Sequence, residues 1–203
     1  MVSNMEITKE IIKDSQVLHE GTTCYIMQYN DAVTYKIYKG AIEYIAERGE
    51  YKLDENETQR RLNYLVSKRN DVTLTDLPSN VLTFNGKAVG VDITYYKNSM
   101  TLKDYLVENN TKENILFMKQ QTLQIVNELI TNGIVPTDPH LENFLICYNN
   151  DGSYKLNMID TDDQYISVYP NNKKDIWYEA EVEACYRVID LSFEKLMDNK
   201  KMS

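Results

Sequence analysis

Residues 134–163 read I-V-P-T-D-P-H-L-E-N-F-L-I-C-Y-N-N-D-G-S-Y-K-L-N-M-I-D-T-D-D. Two strand-like runs, one through Phe144, Leu145 and Ile146 and one through Leu156, Met158 and Ile159, flank a turn signal around Asn150-Asp151-Gly152. Such a pair folds back as a β-hairpin. The hairpin brings Asp160, at the end of the second run, close to Asn143, at the start of the first. Asp138 stands five residues before Asn143, so an Asp, an amide and a second Asp converge at one end of a short sheet. Hard oxygens of this kind suit Mg²⁺. Phosphoryl transfer uses a carboxylate to orient a hydroxyl beside such a metal. Taken singly, the same residues are ordinary: Asp138 caps a turn, Asn143 starts a strand and Asp160 ends one.

Composition narrows the setting. A chain of 203 residues fits one domain or two small lobes sharing a cleft, and 42% hydrophobic residues are enough for a core. The net charge of −9 argues against a general nucleic-acid binder. No apolar run approaches the length of a membrane span, and the start M-V-S-N-M-E-I-T-K-E carries no signal-peptide core. Cys24, Cys147 and Cys185 are widely spaced, with no C-x-x-C and no nearby His. They read as free thiols of a reducing compartment, and the expected location is cytoplasmic.

Along the chain, residues 1–15 form a leading segment with a weakly apolar face at Ile7, Ile11 and Ile12. From Gln16 to Tyr38 three runs (V-L-H, C-Y-I-M-Q-Y and A-V-T-Y-K-I-Y) are separated by E-G-T-T and N-D, which predicts three antiparallel strands. Lys36 lies mid-strand with Tyr35 and Ile37 on the opposite side, a position usually solvated. A variable stretch follows to Leu53. From Asp54 the pattern predicts a helix with acids in its first turn, bases in its last, and Leu62, Leu65 and Val66 on its apolar face. Asn85-Gly86 then joins two further strands, the strongest hairpin signal in the sequence. Thr101 caps a short helix. Thr111 caps a long one that Gly133 ends, with an apolar stripe at Leu116, Leu123, Val126, Leu129 and Ile130. A last helix follows Asp175, with Trp177, Val182, Cys185, Val188, Ile189 and Phe193 suited to its core face.

D-P-H-L-E-N resembles the catalytic loop D-x-x-x-x-N of the protein kinase superfamily, and Met158-Ile159-Asp160-Thr161-Asp162 resembles its metal-binding D-F-G segment. More similar still are small, minimal bacterial-type kinase-like proteins carrying H-G-D-x-H-x-x-N followed by I-D-F-D. The resemblance extends over roughly residues 16–195. It implies an α+β, protein kinase-like two-lobe fold. Residues 1–97 would form an N-lobe of five antiparallel strands plus one helix, and residues 98–203 a truncated, mainly helical C-lobe. It further implies that Asp138 orients the acceptor and that Asn143 and Asp160 hold Mg²⁺. Lys36 resembles the V-A-I-K lysine on the ATP phosphates, with Glu55 or Glu57 as its helix partner. Gly21 and Thr22 lie in the phosphate-covering loop, and Tyr96 in the hinge facing the adenine edge. Asp175, in D-I-W, would brace the catalytic loop. His140, inside that loop, suits a structural role or a backbone hydrogen bond. Asp162 and Asp163 either add charge near the metal or face water.

The sequence also departs from the pattern. The loop His19-Glu20-Gly21-Thr22-Thr23 has a single Gly and reads equally as an ordinary hairpin turn; Pro136-Thr137 stands where His-Arg or His-Gly precedes the Asp; Thr161-Asp162 replaces Phe-Gly. Neither an A-P-E signature nor the later peptide-docking helices follow. The resemblance therefore implies an ATP/Mg²⁺-dependent phosphotransferase acting on a small molecule or on a hydroxyl presented by a partner protein. Two alternatives stand beside it: a pseudokinase that senses nucleotide or binds protein, and an AMP transferase on the same fold.

Overall fold

β-branched and aromatic residues punctuated by turn formers dictate the first half of the chain, and capped amphipathic helices dominate the second. The computed structural model describes residues 4–29, 33–162, 166–170 and 176–199. Among these are β1 (Asn4–Glu6), α1 (Lys9–Asp14), β2 (Gln16–Glu20), β3 (Cys24–Tyr29), β4 (Val33–Tyr38), α2 (Lys39–Ile45), α3 (Glu55–Lys68), β5 (Val81–Phe84) and β6 (Lys87–Ile93). There follow β7 (Ser99–Thr101), α4 (Leu102–Glu108), α5 (Lys112–Thr131), β8 (Ile134–Pro136), a 3₁₀ turn (Leu141–Asn143), β9 (Phe144–Tyr148), β10 (Tyr154–Met158), β11 (Ile166–Val168) and α6 (Ile176–Asn199). The fold is α+β, with a six-stranded mixed sheet and six α-helices among the described residues. No helix among them is long and apolar enough to cross a membrane. The chain divides into two compact units: Met1–Asn70 with Leu77–Tyr95, and Asp71–Asp76 with Tyr96–Ser203.

In the first unit the strand order is β1-β5-β6-β4-β3-β2, antiparallel except for β1 beside β5. Five antiparallel strands were expected; β1 adds a sixth, parallel strand at the edge. Three residues are too few for a period to show in sequence. The edge strand is fixed instead by specific bonds: Ile7 N–H donates to Thr83 O at 2.8 Å, and Asn85 N–H to a Glu6 carboxylate oxygen at 2.6 Å. The weakly apolar leading segment forms α1, capped by the Thr8 hydroxyl. The stretch after Lys39 is not wholly irregular, since it contains α2, which buries Ala41 and Ile45. These join Ile7, Met27, Tyr35, Ile37, Leu82, Phe84 and Val89 in one core.

Tyr35 and Ile37 occupy that core, and the strand alternation turns Lys36 to the opposite face, where it is 1% exposed. Gly90 of β6, opposite Ile37, permits this strand contact: a β-carbon there would lie 2.1 Å from Lys36 O. Asn85 and Gly86 both have positive φ (49° and 75°), as a tight type I′ hairpin requires. α3 begins at the Asp54 cap, which accepts from Glu57 N–H at 2.9 Å, and buries Thr58, Leu62, Leu65 and Val66.

In the second unit β10, β9 and β7 form a three-stranded sheet, and β11 pairs with β8. The β9–β10 hairpin has Phe144 opposite Met158 and Ile146 opposite Leu156, closed by a turn in which Gly152 (φ 83°) is left-handed. α5 is capped by Thr111 and ends before Gly133 (φ 71°). Its buried stripe is Ile115, Met118, Thr122, Ile125, Val126, Leu129 and Ile130. The expected stripe was out of phase at its start: Leu116 is 46% exposed. At about 100° of rotation per residue, Ile115 and Met118 fall on the line through Thr122 and Leu116 falls well to its side. The same geometry corrects α6. Cys185, Ile189 and Phe193 are buried, but Trp177 is 70% exposed, and Tyr178 continues the line instead, donating its hydroxyl to Ile130 O at 3.2 Å.

Candidate functional site

β8 delivers Asp138, and the turn that follows is written in its sequence. Pro139 holds its own φ near −65° and has no N–H to satisfy. His140 N–H donates to Asp138 O at 2.9 Å, closing a three-residue turn around the proline. Asn143 N–H then donates to His140 O at 2.9 Å, and Leu141, buried, anchors the 3₁₀ turn. The Asn143 side chain reaches back: its Nδ2 donates to Asp138 O at 2.8 Å. A carbonyl can only accept, so this bond orients the amide and leaves Asn143 Oδ1 without a donor among the described residues.

The next link joins Asn143 to Asp160. Ile159 N–H donates to Asn143 O at 2.8 Å, extending the β9–β10 ladder by one step beyond Phe144 and Met158. Asp160 follows directly, exposed, with φ of 57°. A side chain held in that left-handed region marks a backbone over-determined by its neighbours. One neighbour is Thr75, whose hydroxyl donates to Met158 O at 3.0 Å and accepts from Met158 N–H at 2.9 Å. Thus hydrogen bonds link Asp138 to Asn143, and Asn143 to Ile159, the residue before Asp160.

The Asp138 carboxylate has a partner that sequence reading missed. His140 Nε2 lies 2.5 Å from Asp138 Oδ1. The reading of His140 as a backbone participant is incomplete, since its ring also contacts the carboxylate; the D-P-H spacing, closed by a proline turn, was the available signal. Asp162 does not face water: it is 3% exposed, next to buried Thr161. Asp163 and Asp175 lie outside the described residues.

The remaining candidates belong to the first unit or to the segments flanking Tyr95. Gly21 lies in the β2–β3 turn, where its N–H donates to Cys24 O at 2.9 Å, while Thr22 is exposed. Lys39 borders this turn: its N–H donates to Thr23 O at 2.8 Å, and its ammonium lies 2.8 Å from Glu20 Oε1 and over the Tyr25 ring. The Glu20 contact raises the Lys39 pKa and lowers that of Glu20. At the start of α3, Glu55 pairs with Lys87 at 2.9 Å and Glu57 with Arg60. The Tyr96 hydroxyl donates to the Asp76 carboxylate.

Among the described residues no group of three or more His, Cys, Asp or Glu is arranged to hold a metal ion. Asn143 and Asp160 together offer an amide oxygen and a carboxylate. That donor set fits a hard cation that retains several waters and shares substrate phosphates. No protein-family model matches this chain, and no curated protein matches its sequence at a significant level.

Proposed function

We propose that this protein is an ATP/Mg²⁺-dependent phosphotransferase of kinase-like architecture, acting on a hydroxyl of a small molecule or one presented by a partner. The observation that carries the reading is the hydrogen-bonded path from Asp138 through Asn143 to Ile159. It ties the backbone of Asp138 to the Asn143 amide, and Asn143 to the residue before Asp160, which supports a site shared by these three residues. Asn143 and Asp160 would hold Mg²⁺, which when bound neutralises charge on the phosphate oxygens. Lys36 would contact the phosphates. Asp138 would accept a hydrogen bond from the acceptor hydroxyl. The acceptor oxygen bonds to the γ-phosphorus as the bond to the β–γ bridging oxygen breaks. ADP leaves with that electron pair, and the hydroxyl proton passes by way of Asp138 to solvent.

One observation favours a second reading, a pseudokinase: the Gly21 N–H, in the loop expected to cover the phosphates, is already taken by Cys24 O. Calorimetric titration with ATP, with and without Mg²⁺, separates the two classes together with a turnover assay. Phosphotransfer requires Mg²⁺-dependent ATP binding that Asp160→Ala abolishes, and turnover that Asp138→Asn abolishes while nucleotide affinity is kept. Mg²⁺-dependent binding with no Asp138-dependent turnover on any acceptor supports the pseudokinase. Absence of binding in both proteins overturns the phosphotransferase.

A further inference from the structure

We infer that His140 is a positioning residue for Asp138: its Nε2–H holds one carboxylate oxygen so that the other is presented to the acceptor hydroxyl. The inference rests on the reading of Asp138 given above. Its basis is that one residue grips Asp138 at both ends. The backbone N–H of His140 donates to Asp138 O at 2.9 Å, and its ring Nε2 lies 2.5 Å from Asp138 Oδ1. Pro139 sits between them, so the turn that closes the backbone bond also directs the imidazole back over the carboxylate. A second clamp on the same carbonyl comes from Asn143 Nδ2 at 2.8 Å, which fixes the backbone from which the carboxylate projects.

The Asp138 side chain is about one-third exposed and that of His140 about half exposed (32% and 54%). Core packing therefore does little to immobilise the carboxylate, and the imidazole contact carries that task. A carboxylate has two oxygens with several lone-pair sites. Donation from Nε2–H to Oδ1 would leave Oδ2 to accept from the hydroxyl as its oxygen bonds to phosphorus. A neutral imidazole protonated at Nε2 suffices for this. The proton of the acceptor goes to Asp138 and then to solvent, and His140 neither gains nor loses one.

The test combines kinetics with a measurement that needs no turnover. The full chain is assayed for ATP turnover with Mg²⁺, water serving as acceptor, in wild type, Asp138→Asn, His140→Phe and His140→Gln. Nitrogen-15 spectra of the wild-type imidazole report its tautomer. Positioning predicts the Nε2–H tautomer in wild type. It predicts that His140→Phe loses roughly ten- to a hundredfold in kcat, the scale of a misplaced catalytic group, with KM for ATP unchanged. It also predicts that His140→Gln, whose amide can donate from a similar place, recovers most of that loss. Full activity in His140→Phe beside a dead Asp138→Asn leaves the phosphotransferase standing and overturns the role of His140. An Nδ1–H or mixed tautomer overturns it without any variant, and so does a folded His140→Gln as inactive as His140→Phe. Measurable turnover that is equal in wild type and Asp138→Asn overturns the phosphotransferase reading, and the role of His140 falls with it; with no turnover to water in either, the tautomer alone decides the role of His140.

Discussion

Asp160 carries two demands that pull in different directions: a carboxylate at the end of β10 and a backbone φ of 57°. The left-handed conformation costs an L-residue roughly 1–2 kcal/mol, less for Asp, whose short side chain bonds locally. Glycine meets no such cost but loses more backbone freedom on folding. Two substitutions therefore separate strain from chemistry. Asp160→Gly is expected to leave stability within about 1 kcal/mol of wild type, and Asp160→Ala to be the less stable of the pair by about 1 kcal/mol. Both lose Mg²⁺-dependent ATP binding if Asp160 is the metal carboxylate. Thermal unfolding and calorimetric titration on the two variants give the comparison. Equal stability of Gly and Ala variants would remove the strain argument, and retained Mg²⁺-dependent binding in Asp160→Gly would remove the ligand.

At the level of elements, α2 and the segment joining it to α3 pack on the β5–β6 hairpin through aromatic rings. Tyr44 meets Tyr51 and Phe84 edge-on, Lys87 sits 5.0 Å from the Tyr51 ring centre while pairing with Glu55, and the Tyr51 hydroxyl donates to Ala88 O at 2.6 Å. Burial, followed by the nearby Glu55 carboxylate, pushes the Tyr51 phenol up to about 12. An unfolded tyrosine titrates near 10. Between those values the folded state keeps a proton that the unfolded chain has released, so stability falls as pH rises from about 10 towards 12 and is unaffected below that window. Tyr51→Phe is expected to cost about 1 kcal/mol at neutral pH, for the lost hydrogen bond, and to flatten the alkaline decline in urea unfolding. An alkaline slope identical to wild type would place the titration elsewhere.

The same elements show where sequence patterns carry information and where they do not. β2 to β6 were legible because β-branched and aromatic runs alternate between turn formers, and α3, α4 and α5 because Asp54, Thr101 and Thr111 cap them with side-chain oxygens. α2 has no such mark: Tyr38 at its N-cap makes no side-chain cap bond, and the helix has neither an acid in its first turn nor a base in its last. In the candidate site, the pairing of Asn143 with Ile159, next to Asp160, followed from hairpin arithmetic. The His140–Asp138 contact did not, because spacing alone does not say which way a ring turns in a proline loop. Nor did the Glu55–Lys87 pair, which depends on how α3 lies beside the β5–β6 hairpin within the first unit.

On the scale of the whole molecule, the chain crosses between its two units more than once. It passes from the first unit to the second after Asn70, returns after Asp76 and passes again after Tyr95. Residues 71–76 therefore link α3 to β5 while being held by the second unit. The grip is mostly polar. One oxygen of the Glu128 carboxylate on α5 accepts from Thr73 N–H at 3.0 Å and from its hydroxyl at 2.7 Å. The other accepts from Leu74 N–H at 2.8 Å. Thr75 joins Met158, and Asp76 pairs with Lys155 at 3.2 Å. Partial burial raises the Glu128 pKa, but the bonds from Leu74 and Thr73 together outweigh it, so the group stays below its ordinary 4.5. A depressed carboxyl contributes stability that is fully present above the unfolded pKa and is lost as pH falls through the folded one. Glu128→Gln keeps the shape but exchanges charge-assisted bonds for neutral ones, at a cost of about 1–2 kcal/mol. Hydrogen exchange at the Thr73 and Leu74 amides should accelerate in this variant at neutral pH, and the gap from wild type should close at acid pH, where Glu128 itself is protonated. Because Thr75 also hydrogen-bonds the last residue of β10, two positions before Asp160, loosening this segment should, on the proposed phosphotransferase reading, also weaken Mg²⁺-dependent ATP binding. Exchange unchanged at both amides would show that Thr75 and Asp76 hold the segment without Glu128.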